Sequence, residues 1–451
     1  MSDLDIGFVR SKFPAFSTLE FEGKSFFENA GGSFAVESVI SRLNRFYTTR
    51  KVQPYAHYEA SSLGGFEMDE ARNELSALLN VRPDTLHFGP STSQNTYVLS
   101  QAFTNCKSNR KVIVVTNQDH EANSGSWRKL NKLGFIIREW KVNNTTGSLA
   151  IEELKKLLDD KVLLVAFPHC SNILGEVNPV KKICKLIKDV GAYACVDGVS
   201  YAPHGFSDLT DLGADIYLFS TYKTYGTHLG IMYLSDELNK NLENQGHYFN
   251  KNVSVKRFTP AGPDHAQIAA SAGIADYIKS LNEHHFGSEV DSKKIASQVH
   301  DLQRRHESKL LYPLLKYLRN RSDLRVLGST SVEGRVPTVA IDLKERGRHL
   351  AVRLSKDGIL ADCGDFYAVR LLEALGVDLK NGVVRLSFVH YTSEQDIEKL
   401  IISSLAPKTS IVPIEKETKF YPVRLEHQDY YKKQSYKYEY YRFMCRRDKR
   451  L

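Results

Sequence analysis

Residues 214–230 read ADIYLFSTYKTYGTHLG, and the rest of the chain is organised around this stretch. Residues 214–218 alternate in character and are partly β-branched, which predicts a strand. Lys223 follows this strand among hydroxyl groups and glycines. A lysine amine can form a Schiff base with an aldehyde cofactor once burial or nearby cations lower its pKa, and the hydroxyls of Ser220 and Tyr222 could hold that cofactor's phosphate. A lysine in a turn is more often simply solvated, so the stretch alone leaves both interpretations open.

The composition is that of a globular protein with a sizeable core. The chain has 451 residues, of which 42% are hydrophobic and 25% charged. At roughly 100–200 residues per domain, this length favours two domains. The net charge of +8 favours anionic ligands without making nucleic acid an expected partner. The six cysteines are scattered and form no CxxC pair, so we expect reduced thiols in a cytoplasmic protein and no metal cluster.

The sequence predicts neither a signal peptide nor a membrane-spanning helix. The first residues, MSDLD, lack a basic and an apolar region, so no signal peptide is expected. No run approaches the ~18 apolar residues of a membrane span.

Residues 426–451 hold eight Lys or Arg and six Tyr. This segment is interpreted as a solvated extension, with contact to RNA or another anionic partner as the alternative.

Strands and helices alternate through the first half of the chain. Strands are predicted at 111–115, 135–140, 162–167 and 192–197, and helices at 67–80, 150–158 and 178–190. Apolar strands that alternate with helices imply a mostly parallel sheet covered on both faces. Ligands gather at the carboxyl ends of strands in such sheets. His120, Asn172, Asp197 and Lys223 all follow predicted strands, and this coincidence is the main physical evidence for a site.

A second turn precedes a helix at residues 86–95, which read LHFGPSTSQN. Backbone N–H groups and the hydroxyls of Ser91 and Thr92 could converge there on the helix N-terminus, where the helix dipole favours phosphate. An ordinary helix cap explains the same residues equally well.

The pattern changes after residue 240. Helices are predicted at 266–282, 292–320, 366–376 and 393–404, and strands at 337–342 and 382–388. These elements predict four parts: a segment at 1–25 that joins the small domain, a large domain at 26–284, a small α+β domain at 285–425, and the basic extension at 426–451.

The order of motifs resembles the class V aminotransferase family of pyridoxal-phosphate enzymes, and within it the cysteine desulfurase-like branch. The resemblance covers roughly residues 5–405. It rests on ENAGG at 28–32, GPSTS at 89–93, DHEAN at 119–123, SNILG at 171–175, VDG at 196–198 and STYKTYG at 220–226. It implies an α/β fold of type I, in which a large, mostly parallel sheet of the seven-stranded type is covered by helices and a smaller α+β domain follows.

The resemblance also implies roles around pyridoxal 5'-phosphate. Lys223 would bind the aldehyde, and Asp197 would keep the ring nitrogen protonated so that the ring acts as an electron sink. His120 would stack on the ring, and Asn172 would hydrogen-bond the ring hydroxyl. The implied phosphate ligands are Ser91, Thr92, Ser220 and Tyr222.

The substrate end and the partner subunit are implied in the same way. Arg385 matches the family's arginine for the substrate carboxylate, which would fix an α-amino acid by a bidentate clamp, and Asn29 belongs to the substrate-binding turn. The family implies a homodimer with shared active sites, in which Gly262 would contact the phosphate across the interface.

The sequence departs from the desulfurase pattern near residue 365. Tyr367 stands where desulfurases carry the cysteine that receives sulfur, and Cys363 lies four positions earlier. An arginine common in relatives is missing near Asp362, and Ser200 replaces a family glutamine. The favoured interpretation is a desulfurase- or selenocysteine lyase-like enzyme without the standard persulfide step. An aminotransferase or epimerase, and an inactive scaffold, remain alternatives.

Overall fold

The computed structural model describes residues 3–403, apart from Lys107, and these residues fall in one compact unit. The predicted extension at 426–451, and the end of the predicted small domain, lie outside the described residues. The division into a joining segment, a large domain and a small domain stays a prediction.

The described strands form one large and two small sheets. The strands are β1 (Ser25–Phe26), β2 (Leu86–Gly89), β3 (Val112–Thr116), β4 (Ile136–Trp140), β5 (Val162–Pro168), β6 (Tyr193–Asp197), β7 (Ile216–Ser220), β8 (Gly230–Leu234), β9 (Arg325–Val326), β10 (Thr338–Asp342), β11 (Ile359–Leu360), β12 (Asp362–Gly364) and β13 (Val383–Ser387). The large sheet has the order β2-β8-β7-β6-β5-β3-β4. Its five strands from β7 to β4 pair in parallel, and β8 pairs antiparallel with both β7 and β2. The expected α/β fold with a mostly parallel, seven-stranded sheet is confirmed.

The central strands of this sheet are buried on both faces. Every residue of β5, VLLVAFP, is buried, as is every residue of β3 and β7. Such unbroken apolar runs are stable only where helices cover both faces of a sheet. The apolar residues of the chain accordingly form separate buried clusters, two of which include side chains of the large sheet.

Fifteen helices are found among the described residues. They are α1 (Ile6–Ser11), α2 (Glu37–Thr49), α3 (Glu59–Leu78), α4 (Thr92–Thr104), α5 (Glu121–Lys129), α6 (Ile151–Leu157), α7 (Val180–Asp189), α8 (Leu209–Leu212), α9 (Asp236–Asn241), α10 (His265–Ala270), α11 (Ala272–Phe286), α12 (Ser292–Arg319), α13 (Gly347–Lys356), α14 (Val369–Ala374) and α15 (Glu394–Ser403). None of these helices has the length and apolar character needed to cross a membrane.

Three predicted helices differ from the observed ones. The predicted helix 266–282 is two helices, α10 and α11, which are separated by Ser271. Helix α3 begins eight residues before the predicted 67–80, because its first turns, EASSLGG, lack the apolar repeat that the prediction relied on. The predicted helix 366–376 begins only at Val369, because Phe366 and Tyr367 adopt positive φ angles of 50° and 57°. A positive φ is incompatible with a right-handed helix.

The smaller sheets carry the second half of the site. Strands β12, β13, β10 and β9 form an antiparallel sheet in that order, and β1 pairs in parallel with β11. Glu28 bridges to Ser387 at the end of β13, so the N-terminal motif of the chain lies against this sheet.

Candidate active site

One cleft lies at the carboxyl ends of the central strands of the large sheet. The cleft opens to solvent. Its lining includes Ser91, Thr92, Ser93, Gln118, His120, Pro168, Cys170, Asn172, Asp197, Val199, Ser200, Ser220, Tyr222 and Lys223. Eight of the eleven residues singled out from the sequence therefore line one cleft.

Lys223 lies in the 3₁₀ turn Thr221–Lys223 that directly follows β7. The residue is only 7% exposed, although its side chain carries an ionisable amine. Burial and the neighbouring Arg385 lower its pKa from 10.5 to about 8, against the opposing effects of Asp197 and Glu28. A large share of Lys223 is therefore neutral just above neutral pH, and the neutral amine is the nucleophilic form.

Asp197 is the last residue of β6, the parallel neighbour of β7. Its Oδ1 accepts a hydrogen bond of 2.8 Å from the backbone N–H of Val199. Burial raises its pKa from 3.8 to about 6, while the Val199 hydrogen bond and Lys223 oppose that rise. The positive charge of Lys223 therefore compensates only part of the cost of burying the carboxylate, and a cationic group of a ligand would find a partner there.

Asp119 is a second buried carboxyl group, located beside Asp197. Burial and the charge of Asp197 raise its pKa well above the ordinary value. Its Oδ2 accepts hydrogen bonds from Thr116 and Asn123. These bonds fix the turn that leads from β3 to His120.

His120 caps helix α5, and this determines its protonation state. Its Nδ1 accepts a 3.0 Å hydrogen bond from the backbone N–H of Ala122, so Nδ1 carries no proton. Burial, together with Lys223 and Arg385, lowers the pKa of His120 to about 3. The imidazole ring is therefore neutral near pH 7, and it lines the cleft as a flat, uncharged group.

Asn172 follows β5 and has one satisfied and one unsatisfied polar atom. Its Nδ2 donates a 2.9 Å hydrogen bond to the carbonyl of Phe366. Its Oδ1 is buried and has no hydrogen-bond partner among the described protein atoms. A buried orphan acceptor of this kind costs free energy unless a ligand supplies the missing group.

Hydroxyl groups converge where α4 begins. Ser91 caps this helix by accepting from the backbone N–H of Gln94, and the Thr92 hydroxyl lies 2.8 Å from the Ser220 hydroxyl. The helix N-terminus offers free backbone N–H groups and a positive dipole end, so this turn is suited to an anion.

Two glycines let the cleft wall pack closely on this turn. Gly89 of β2 and Gly230 of β8 are paired across the antiparallel strands. A Cβ on Gly230 would lie 2.4 Å from the carbonyl carbon of Ser91, and one on Gly89 would lie 1.8 Å from Oδ1 of Asn95. A Cβ on Gly230 would therefore collide with the backbone of the turn, and one on Gly89 with the Asn95 side chain of α4.

Arg385 lies on β13 and is 3% exposed. It forms an ion pair with Glu28, and its Nη1 donates a 3.3 Å hydrogen bond to the carbonyl of Asn172. The ring of Phe366 lies 3.8 Å from its guanidinium carbon. Sequence reasoning did not single out Glu28 or Phe366, although Glu28 stands directly before the predicted site residue Asn29.

Asn29 lines a small cavity beside the cleft, which also reaches Lys223, Ser200 and Ser387. Its Nδ2 donates a 3.3 Å hydrogen bond to the carbonyl of Ser387, and its Oδ1 accepts from the hydroxyl of Tyr391. The side chain is thus held between the N-terminal motif and β13.

The loop with Phe366 and Tyr367 covers one edge of the cleft. Asn172 donates to the carbonyl of Phe366, and the backbone N–H of Glu121 donates a 2.9 Å hydrogen bond to the carbonyl of Tyr367. The Tyr367 ring lies 5.3 Å from the His120 ring and is 71% exposed. This loop therefore connects the small sheet to the residues around His120.

Cys363 lies on the other side of β12 from the cleft. In the antiparallel register, Asp362 stands opposite Arg385, whereas Cys363 stands opposite Val384. Its thiol lies 3.2 Å from the carbonyl of Asn381, and burial and Asp362 raise its pKa. The side chain packs into the buried cluster under the small sheet.

Gly262 lies away from this cleft. It lines a separate and larger groove together with Tyr55, Arg72, Phe88 and His265. The contact predicted for Gly262 would come from a second subunit, so its role stays a prediction.

Comparison with known proteins identifies a family and relatives that the chain resembles. Residues 25–400 match the family described as aminotransferase class-V. The aminotransferase-like protein FGM3 of Gibberella zeae is 32% identical over 89% of this chain and 98% of its own length. The cysteine desulfurase-like protein ustD of Aspergillus flavus is 27% identical over 87% of this chain and 88% of its own length.

Solved structures show the same fold. A cysteine desulfurase from Thermococcus onnurineus superposes with a TM-score of 0.77 at 20% identity, over 89% of this chain and 98% of that one. The desulfurase CsdA of Escherichia coli gives a TM-score of 0.72 at 19% identity, over 89% of this chain and 97% of its own. The expected fold-type I architecture is confirmed. The match over most of the chain shows that this protein belongs to the class V aminotransferase family of pyridoxal-phosphate-dependent enzymes.

Proposed function

We propose that the protein binds pyridoxal 5'-phosphate through Lys223 and acts on an α-amino acid in the manner of a cysteine desulfurase or selenocysteine lyase, without a persulfide cysteine. One observation carries the proposal: a buried lysine of lowered pKa shares a cleft with the buried carboxylate of Asp197, on the neighbouring strand end.

The residues of the cleft fit this cofactor. The orphan Oδ1 of Asn172 offers a partner for a ring hydroxyl, and Asp197 offers a carboxylate for a protonated ring nitrogen. The hydroxyls of Ser91, Thr92, Ser220 and Tyr222 line the end of the cleft where α4 begins, which suits a phosphate. His120 presents a neutral ring for stacking.

The bound cofactor would supply an electron sink for charge that develops at the substrate Cα. Lys223 would hold the cofactor and, once freed, accept or return a proton at Cα, since a pKa near 8 suits both directions at neutral pH. Arg385 would orient the α-carboxylate, with Asn29 beside it. Phe366 and Tyr367 would limit the access of water from the edge that they cover.

The proposed absence of a persulfide step rests on Cys363. Its side chain faces away from Arg385 and contacts the carbonyl of Asn381. A cysteine so placed reaches the substrate only if β12 leaves β13. We favour transfer of the sulfur or selenium atom from Cβ to a small external thiol, which becomes a persulfide or selenosulfide and leaves alanine, rather than transfer to a cysteine of the protein.

Transamination or epimerisation is the second candidate, because FGM3, at 32% identity, is named aminotransferase-like. A scaffold without activity is disfavoured by the buried pair Lys223 and Asp197, since two desolvated ionisable groups are costly to keep without a ligand.

The partners proposed are a small amino acid and a second copy of this chain. Gly262 would approach the phosphate of the neighbouring subunit from the groove that it lines. The cytoplasmic location expected from the scattered cysteines also stays a prediction.

An absorbance spectrum with a panel of amino acids, including L-cysteine, tests the proposal. With dithiothreitol present, we expect a visible band that responds to cysteine and equal amounts of alanine and sulfide, because the added dithiol takes up the sulfur atom and reduces it to sulfide while it forms a disulfide. Bleaching of the band with another amino acid, without sulfide, would favour transamination. A protein that stays colourless after addition of pyridoxal phosphate would reject the enzyme.

A further inference from the structure

The arginine proposed for the substrate carboxylate already has a carboxylate partner within the chain. Nη2 of Arg385 donates to Oε1 of Glu28, and the Arg385 side chain is buried while the Glu28 side chain is partly exposed. Phe366 covers the guanidinium, and the carbonyl of Asn172 accepts from Nη1. The attraction within such a pair offsets the cost of taking both charges out of water only where the remaining hydrogen-bonding atoms are also satisfied.

The pair is nevertheless incomplete. Oε2 of Glu28 and Nε of Arg385 are both buried without a hydrogen-bond partner among the described atoms. Burial raises the pKa of Glu28, although Arg385 and Lys223 oppose the rise and Asp362 adds to it. A carboxylate that met Arg385 in a bidentate way would satisfy the guanidinium better than Glu28 does.

The backbone of Glu28 is held against β13, whereas part of its side chain faces solvent. The residue bridges to Ser387 of β13, and Asn29 behind it is hydrogen-bonded to the same strand. Of the Glu28 side chain, 23% is exposed, against 3% of the Arg385 side chain. Glu28 can therefore turn away from Arg385 without unfolding the motif that carries it.

We propose that Glu28 occupies the substrate-carboxylate position on Arg385 and is displaced when an α-amino acid binds. This inference rests on the proposed function. Glu28 is then a specificity-determining residue, because a ligand must bring a carboxylate to break the internal pair. Amines and amino-acid amides lack a carboxylate, so they cannot replace Glu28 on Arg385.

The displacement of Glu28 from Arg385 weakens the apparent affinity for amino acids. When a binding-competent state is populated only in part, the apparent Kd rises in inverse proportion to that population. If Arg385 is free of Glu28 for about one tenth of the time, removal of the Glu28 charge lowers the Kd about tenfold.

The test compares Glu28→Gln with the unmodified, cofactor-loaded protein. L-Cysteine, L-alanine and ethylamine are titrated separately, and the Kd is taken from the change in absorbance. We expect the amino-acid Kd to fall about tenfold in the variant while the ethylamine Kd is unchanged. In the cofactor-free protein, millimolar propionate should raise the Tm of the variant more than that of the unmodified chain.

Two further variants serve as controls. Asp362→Asn removes a negative charge from the strand opposite Arg385 without touching the ion pair, and we expect less than half of the change in Kd. Glu28→Ala repeats the test should Glu28→Gln fold poorly, and circular dichroism verifies folding in each case.

An amino-acid Kd that is unchanged or weaker in both Glu28 variants overturns the inference while the proposed function stands. An equal gain for ethylamine also overturns it, because the effect would then not depend on the carboxylate. If the unmodified protein responds to no α-amino acid, the proposed function fails and this inference fails with it.

Discussion

Asp197 and Lys223 stand at the ends of two adjacent parallel strands, and burial has moved both of their pKa values toward neutrality. Asp197 ends β6 and has a pKa of about 6, while Lys223 follows β7 and has a pKa of about 8. Between these two values most of the carboxylate is ionised, and the neutral fraction of the amine rises to about one half near pH 8. Attachment of an aldehyde to the lysine and pairing with a protonated ring nitrogen are thus both favoured near neutral pH.

Capture of pyridoxal phosphate by the cofactor-free protein should follow the titration of Lys223. The neutral amine is the reactive form, so the rate should rise with pH and level off above about 8, whereas an ordinary lysine would level off above 10.5. Stopped-flow absorbance at a series of pH values measures this rate.

Lys223→Ala should show no visible band at any pH, while Lys182→Ala, which changes an exposed lysine of α7, should behave like the unmodified protein. A midpoint near 10.5 would show that Lys223 is not the group that reacts.

Asp197→Asn should stabilise the cofactor-free protein at neutral pH. An acid with a raised pKa in the folded state binds protons more tightly when folded, so its ionised form costs stability above that pKa. Raising this pKa from 3.8 to about 6 corresponds to about 3 kcal/mol, which the substitution should largely recover at pH 7. The gain should shrink as the pH falls from 6 toward 4.

Urea unfolding at several pH values gives the measurement, and Asp160→Asn, on the exposed surface, should change stability by no more than about 0.5 kcal/mol. The same Asp197→Asn protein should lose amino-acid turnover. A destabilised variant would mean that the Asp197 charge is well paired even without a ligand.

His120→Ala should weaken cofactor binding about tenfold, because a stacked ring contributes roughly 0.5–1.5 kcal/mol beyond its buried area. His120→Phe keeps a flat neutral ring and should bind within about twofold of the unmodified protein. Since the pKa of His120 is about 3, neither variant should change the pH dependence of binding between pH 6 and 9.

Quenching of intrinsic fluorescence on addition of the cofactor measures these affinities. If His120→Phe bound as weakly as His120→Ala, a hydrogen bond of the imidazole rather than its flat face would be responsible.

Cys363→Ser should leave turnover of L-cysteine within about twofold, because the thiol faces the small-sheet core and has a raised pKa. Sulfide release under single-turnover conditions, with dithiothreitol present as the reductant, is the measurement. Cys106→Ser, a second half-buried thiol, is the matched control. A selective loss of more than about tenfold in Cys363→Ser would restore a persulfide step and require β12 to move.

Sequence patterns located the strand-end residues because apolar runs mark the strands, and parallel strands end at one edge. Strand β8, GIMYL, was not predicted, because its four apolar residues follow a glycine and show no alternation of apolar and polar side chains. The ion pair of Glu28 with Arg385 joins residues 357 positions apart, and no local pattern records such a contact. The loop at Phe366 was predicted as a helix because bulky aromatic residues rarely take a positive φ.

The paired glycines Gly89 and Gly230 have a thermodynamic consequence. Because Gly230 has no side chain, β8 packs directly against the backbone of the turn at Ser91, while Gly89 leaves room for the Asn95 side chain of α4. A ligand that reaches this turn does not have to order it, so little conformational entropy is lost on binding. The protein should therefore release and regain a phosphate-bearing group repeatedly without refolding of this turn.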